Sequence, residues 1–223
     1  MRKPKERIKI ESKKVSLAQY GGTEDSTVTG EYETIENQHS KYAKAIGSFI
    51  ISFSELEESL DNDLATAINE RAHEAGYRII KYLGFRNKVD LLNDDYFRYI
   101  EYLDSASAKL RLSAELRVIY NKLCELSEFR NRVAHANWLS LDSSGFVRTR
   151  IIEAKDGSGV QLEKVKMTPS VLIKFRKQNE ALSRKIDFFR EKVWAARNRD
   201  DRRRYKRIEA LNKNKGAREA SLK

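Results

Sequence analysis

The sequence predicts a mainly α protein, a bundle of four to five helices with a β-hairpin inserted between the third and fourth long helices. Three observations carry this. Apolar residues recur at steps of three and four along four long stretches, the rhythm of helices with one buried face. The region 139–167 changes to β-rich runs joined by Asp156-Gly157-Ser158-Gly159, a strong hairpin signal. No apolar run approaches the roughly 18–20 residues of a membrane span, and no charged segment leads into an apolar one as in a secretion signal.

Residues 1–32 begin basic and pass through Gly21-Gly22-Thr23-Glu24-Asp25-Ser26-Thr27 and Gly30 without a sustained period, so a disordered basic arm is expected there. The first long helix is expected over about 33–70, with Ile46, Phe49, Ile50, Phe53, Leu56, Leu60, Leu64 and Ile68 on one stripe and Gly47 as the place for a break. Gly76 and Gly84 interrupt the next run. A short helix holds Ile79, Ile80 and Leu83, and the second long helix follows with Phe85, Val89, Leu92, Tyr96, Tyr99 and Leu103. Asp104-Ser105-Ala106-Ser107 offers capping side chains for the third, which runs to about His135. Strands are expected at Phe146–Glu153 and Val160–Met167, with Leu139–Leu141 as a short third strand across the Asp142-Ser143-Ser144-Gly145 turn. Thr168-Pro169 reads as N-cap and first residue of the fourth long helix. Its stripe is Leu172, Phe175, Leu182, Ile186, Phe189 and Val193, with Asn179 in a slot that should be apolar. The bundle is thus expected over 33–197, and the basic stretch 198–223 either extends the last helix or lies loose.

The net charge of +11 sits at the ends: +5 over 1–14 and +8 over 190–223, which leaves −2 for the middle. Basic arms attract polyanions without reading their sequence, which suits nucleic acid, an acidic partner, or merely solvation of a helix end. One cysteine, Cys124, cannot make an internal disulfide, and with no secretion signal a cytoplasmic setting is expected. Metal chemistry is disfavoured by inventory, because the three histidines His39, His73 and His135 are far apart and no carboxylate or cysteine pair has ligand spacing. Neither a GxxxxGK[ST] loop nor a GxGxxG turn is present, so no cofactor is expected. Most tyrosines and phenylalanines fall on helical stripes and read as core, not as a base-stacking platform.

The chemistry that does stand out closes the third long helix. Leu112, Leu116, Ile119, Leu123 and Leu126 predict slots at 130 and 133; Val133 fits and Arg130 does not. A guanidinium in a leucine slot is costly unless a carboxylate, a phosphate or water receives it. Asn131 and His135, four apart, share the adjoining face, which continues upstream through the small residues Ser127 and Cys124. One reading is structural: Arg130 complements the helix dipole and bridges to Glu57 or Glu58, and His135 caps the last carbonyls.

Arg130-Asn131, three residues, then His135 at the end of a long helix resembles the RNxxxH form of the Arg-x(4 to 6)-His signature of the HEPN superfamily. Phe53-Ser54-Glu55-Leu56-Glu57-Glu58-Ser59-Leu60 on the first helix also looks family-like, and the likeness covers roughly 36–195. The resemblance implies an all-helical metal-independent endoribonuclease of defence or toxin type, answerable to an antitoxin or other regulatory protein. It implies a homodimer whose motifs meet across a two-fold groove, with His135 as general base or acid, Arg130 on the phosphate and Asn131 orienting either. RNA carries its own nucleophile, so such a pair can suffice. Arg148 and Arg150, opposite Lys164 and Lys166 on the hairpin, are expected to guide the phosphate backbone, and Glu57 is a candidate partner for Arg130. The alternatives are a non-catalytic HEPN-like module that binds RNA or protein, and a nucleic-acid-binding accessory acting through its tail.

Overall fold

A computed structural model of the chain describes residues 10–16, 32–69, 72–154 and 159–220, with side chains described within 40–211 of the helical part. It is mainly helical, with five α-helices and a three-stranded antiparallel sheet among the described residues. In chain order these are β1 (Ser12–Ser16), α1 (Tyr32–Ile68), α2 (His73–Ile80), α3 (Phe85–Glu101), α4 (Ala106–His135), a 3₁₀ turn (Trp138–Ser140), β2 (Phe146–Glu153), β3 (Val160–Lys166) and α5 (Pro169–Ala220). The hairpin lies between α4 and α5, as expected. No described helix is long and apolar enough to cross a membrane.

The chain divides into two units, residues 1–57 with 125–180 and residues 58–124 with 181–223, so α1, α4 and α5 each contribute to both. In the first unit the core is aromatic. Phe129 stacks on Phe175 with centroids 3.6 Å apart, and Phe49 meets Phe129 edge-on at 5.2 Å. Such pairs add about 0.5–1.5 kcal/mol beyond the area they bury. Val147 and Val165 of the sheet, and Met167 just after β3, are buried in the same unit, each with no exposed surface. Asn179 lies buried on the same unit's α5, 1% exposed, and neither Oδ1 nor Nδ2 meets a hydrogen-bond partner among the described residues.

The second unit packs the α1 stripe Leu60 and Leu64 with α3, α4 and the middle of α5. Gly76 is required where α2 meets α1: a Cβ there would stand 2.5 Å from the Ala65 carbonyl oxygen and 2.7 Å from its Cα. Gly47, in contrast, has open space around it, and α1 runs through it without a break.

The caps match their sequence signals. Ser105 Oγ accepts the Ala108 N–H at 3.3 Å, and Thr168 Oγ1 accepts the Val171 N–H at 3.4 Å. A further anchor was not expected. Asp200, 5% exposed, accepts the Asp104 N–H at 2.7 Å just ahead of α4. Arg204 grips the Asp104 carboxylate at 2.8 and 3.2 Å and donates to the Tyr102 carbonyl at 2.8 Å. The last helix therefore holds the second unit together past residue 197, the boundary expected from sequence, and continues as a helix to Ala220.

Two expectations for the sheet are corrected. Ser12–Ser16, within the arm expected to be disordered, is an edge strand that pairs with β3 in the register Ser12–Val165 to Ser16–Gln161, giving the order β1-β3-β2. The rest of that arm lies largely outside the described residues, as do residues 155–158 of the hairpin turn. Leu139–Leu141 is not a strand. Asp142 Oδ1 accepts the N–H groups of Ser144 and Phe146 at 3.1 and 2.9 Å, turning the chain tightly, and Ser140 Oγ donates to the Asn137 carbonyl at 2.7 Å. Gly145 completes the turn at φ +83°, a conformation that suits glycine.

Candidate functional site

The end of α4 lies in the first unit. Phe129 and Val133 are buried and fix the helix, which leaves the positions between them to face outward or along the margin of the core. Arg130 is half-buried on that margin. Its guanidinium carbon is 5.7 Å from the centroid of Phe53, a ring 2% exposed, and its Nη1 donates to Asn131 Oδ1 at 3.1 Å. The apolar slot is thus reconciled by stacking: the side chain lies over an aromatic face and keeps partial contact with water.

Asn131 and His135 are both exposed and one turn apart. Arg130 and His135 are about 140° apart around the helix and about 7.5 Å apart along it, so they do not share a face. Asn131 lies between them in angle, hydrogen-bonded to one and one turn from the other. Glu57 is half-buried on α1, one turn beyond Phe53. Arg132 is half-buried, and its positive charge helps hold the Glu163 carboxyl below the usual range.

The last turn of α4 is tied to the hairpin. Trp138 Nε1 donates to the Val133 carbonyl at 3.1 Å, taking the capping role considered for His135. The Asn137 N–H donates to the Arg148 carbonyl at 2.8 Å, and the Arg148 N–H donates to Ser140 Oγ at 2.8 Å. These bonds fix β2 to the segment directly after His135.

The four basic hairpin residues are not a single row. Arg148 pairs with Lys164 as expected, but a bulge between Arg148 and Arg150 sets Arg150 opposite Glu163. Paired residues share a side of a sheet, so Arg150 lies on the face opposite Arg148. Its Nε donates to Glu163 Oε2. Burial raises the Glu163 carboxyl, and the bond from Arg150, aided by the Arg150 and Arg132 charges and Thr149, overcomes this and lowers it. Arg148, Lys164 and Lys166 do share a face, to which β1 adds Lys13. Lys166 Nζ donates to Glu11 at 3.0 Å, while Asp142 lies 3.6 Å from Lys13 and 3.9 Å from Lys164. Lys13 stands 4.0 Å over the Phe146 ring. This cationic patch is partly neutralised by its own carboxylates.

The second unit carries a feature that sequence reading missed, a groove of about 590 Å³ lined by α1, α3 and α5. Asp63 lies in its lining, with a side chain 11% exposed; Arg190 donates to its Oδ1, and its buried Oδ2 meets no donor among the described residues. Burial raises the Asp63 carboxyl, against the charge and hydrogen bond of Arg190. At the mouth, Tyr99 and Trp194 have centroids 6.2 Å apart, and the Arg197 guanidinium is 5.2 and 5.5 Å from the two rings. Tyr99 had been read as core; it is half-buried, and Trp194 is 44% exposed. The legible signal was an acid, Asp63, one residue ahead of the buried Leu64. Among the described residues no group of three His, Cys, Asp or Glu side chains is placed to hold a metal ion. Comparison of the chain with family models, curated proteins and solved structures finds no match.

Proposed function

We propose that this chain is a metal-independent endoribonuclease of the HEPN type, active as a homodimer that cuts RNA at the end of α4. The observation that carries this is the state of Arg130: a permanent cation held over Phe53 at the core margin, bonded to Asn131 and half-open to solvent, one residue from the face that presents His135. In this reading His135 takes the proton of a ribose 2′-OH, and the 2′-oxygen bonds to the adjacent phosphorus. The P–O5′ bond breaks, and the leaving 5′-oxygen receives a proton from the histidine of the same or the second copy. The products are a 2′,3′-cyclic phosphate and a 5′-hydroxyl. Arg130 stabilises the added charge on the pentacovalent phosphorus. Because Arg130 and His135 are about 140° apart on one helix, a two-fold contact that sets one copy's histidine beside the other's arginine assembles the pair better than one copy does.

The test is incubation of the full chain with RNA in the presence of chelator. Cleavage to cyclic-phosphate ends is expected, lowered by about 10²–10⁴ in His135→Ala with little change in melting temperature. Chelator-sensitive cutting, or unchanged cutting by His135→Ala, would sink the reading.

A second reading, RNA binding without cleavage, is favoured by one observation. Residues 201–211 of α5 are exposed on every side and include Arg202, Arg203, Arg204, Lys206 and Arg207. Replacing Arg202, Lys206 and Arg207 with Glu while keeping Arg204 is then expected to lower RNA affinity and flatten its salt dependence, with no activity to lose.

A further inference from the structure

We propose that residues 201–211 of α5 are a docking surface for an acidic amphipathic helix of a partner protein, with Ile208 and Leu211 as its apolar contacts and Arg203 and Arg207 toward the partner's carboxylates. The inference is independent of RNA cleavage, and every residue it uses lies within 58–124 or 181–223.

The phase of the helix carries it. The buried face of α5 in the second unit is Ile186, Phe189, Val193, Ala196 and Asp200. A turn of about 3.6 residues continues that line through Arg204, which reaches Asp104 and the Tyr102 carbonyl, to Ile208 and Leu211. Beyond Arg204 the line meets solvent: Ile208 is 57% exposed and Leu211 68%. Scattered apolar side chains on a surface need no explanation, but these two prolong a core stripe past the end of its core. Tyr205, also exposed, borders them on one side. At the foot of the stripe a hollow of about 300 Å³, with Tyr102, Leu103 and Arg204 in its lining, has room for a large apolar side chain of the partner. Helices gain most of their stability by packing an amphipathic face, so a second helix laid along this line stabilises the end of α5 as it binds.

Charge names the occupant. Residues 201–211 hold five Lys and Arg against Asp201 and Glu209. Arg203 and Arg207 fall on one flank of the stripe, the place of the charges that choose a partner when helices pair. A second copy of the chain would set these cations against themselves. RNA would use the cations and leave Ile208 and Leu211 against phosphate or water. A bilayer surface asks for a broader apolar face than two aliphatic residues and a tyrosine. An acidic helix with apolar residues at three- and four-residue spacing matches both the stripe and its flank.

The probe is a labelled three-heptad peptide with Leu at a and d and Glu at e and g, whose like charges keep it from pairing with itself; its counterpart carries Lys at e and g. In anisotropy titrations the full chain is expected to bind the Glu peptide with a Kd of about 10 µM or tighter, and the Lys peptide at least about tenfold more weakly. Ile208→Ser combined with Leu211→Ser is expected to lower affinity for the Glu peptide at least about tenfold, and Arg207→Glu about threefold, both at unchanged melting temperature because the positions are exposed. No binding at about 100 µM peptide, equal affinity for the two peptides, or wild-type affinity in the Ile208→Ser, Leu211→Ser variant overturns the assignment. Self-association in sedimentation, or binding to single-stranded RNA or to phosphatidylserine vesicles, that this double variant abolishes also overturns it, and gives the surface to a second copy, RNA or lipid.

Discussion

Arg130 Nη1 donates a 3.1 Å hydrogen bond to Oδ1 of Asn131, the residue that follows it on α4. Neighbours on a helix diverge by about 100°, so this contact makes the guanidinium lean along the surface toward the face that carries His135. If the chain is the proposed ribonuclease and Asn131 sets the direction of Arg130, Asn131→Ala is expected to lower RNA cleavage by about a hundredfold through misplacement of the cation. Its effect on stability stays within about 0.5 kcal/mol, because the side chain is exposed and alanine favours the helix. Cleavage rate and thermal melting, measured on the same preparation, separate the two. A loss of melting temperature equal to that of a core mutant would make Asn131 structural.

Gly76 faces backbone, not a side chain that can move aside. Gly76→Ala places a methyl against the Ala65 carbonyl, and the clash outweighs the gain in helix propensity. A loss of about 1–3 kcal/mol is expected, read as a lower urea midpoint at unchanged slope. Gly47→Ala, with open space around it, is the control and stabilises by up to about 1 kcal/mol.

Asn179 has the opposite defect, an amide with no partner among the described residues in the core of the first unit. Asn179→Leu has a similar volume and removes the polar group, so it is expected to stabilise by about 1–2 kcal/mol. Destabilisation in the same urea titration would show that the amide is bonded in solution.

The Glu163 carboxyl is lowered by Arg150, so its stabilising effect is present above the unfolded value of about 4.3 and is lost as pH falls through the folded value. Glu163→Gln is expected to be less stable than wild type at pH 7 and to lose less on acidification to pH 3. Parallel curves for the two proteins across that range would rule out this ion pair as a source of acid sensitivity.

The helices were legible because each carries a long one-sided stripe with a cap: Ser105 and Thr168 stand where their hydroxyls were expected to work. β1 was not, since Ser12-Lys13-Lys14-Val15-Ser16 has a single large apolar residue and owes its conformation to the edge of β3, more than 140 positions away. The turn at Asp142 competes locally with the strand expected at Leu139–Leu141, and side-chain hydrogen bonds decided it. At the candidate active site, Arg130 announced itself by occupying a leucine slot. The bulge that turns Arg150 away from Arg148 left no mark in the spacing of the charges. Asp63 and Arg190 lie 127 positions apart, and nothing in either local pattern names the other.

Asp104 receives its carboxylate and guanidinium contacts from Asp200 and Arg204, about a hundred positions later in the chain. During synthesis the start of α4 therefore gains this anchor only after about a hundred further residues have left the ribosome. A nascent chain halted before residue 200 lacks both contacts and keeps the Ser105 cap at that turn. Such a chain is the better substrate for a cellular protease.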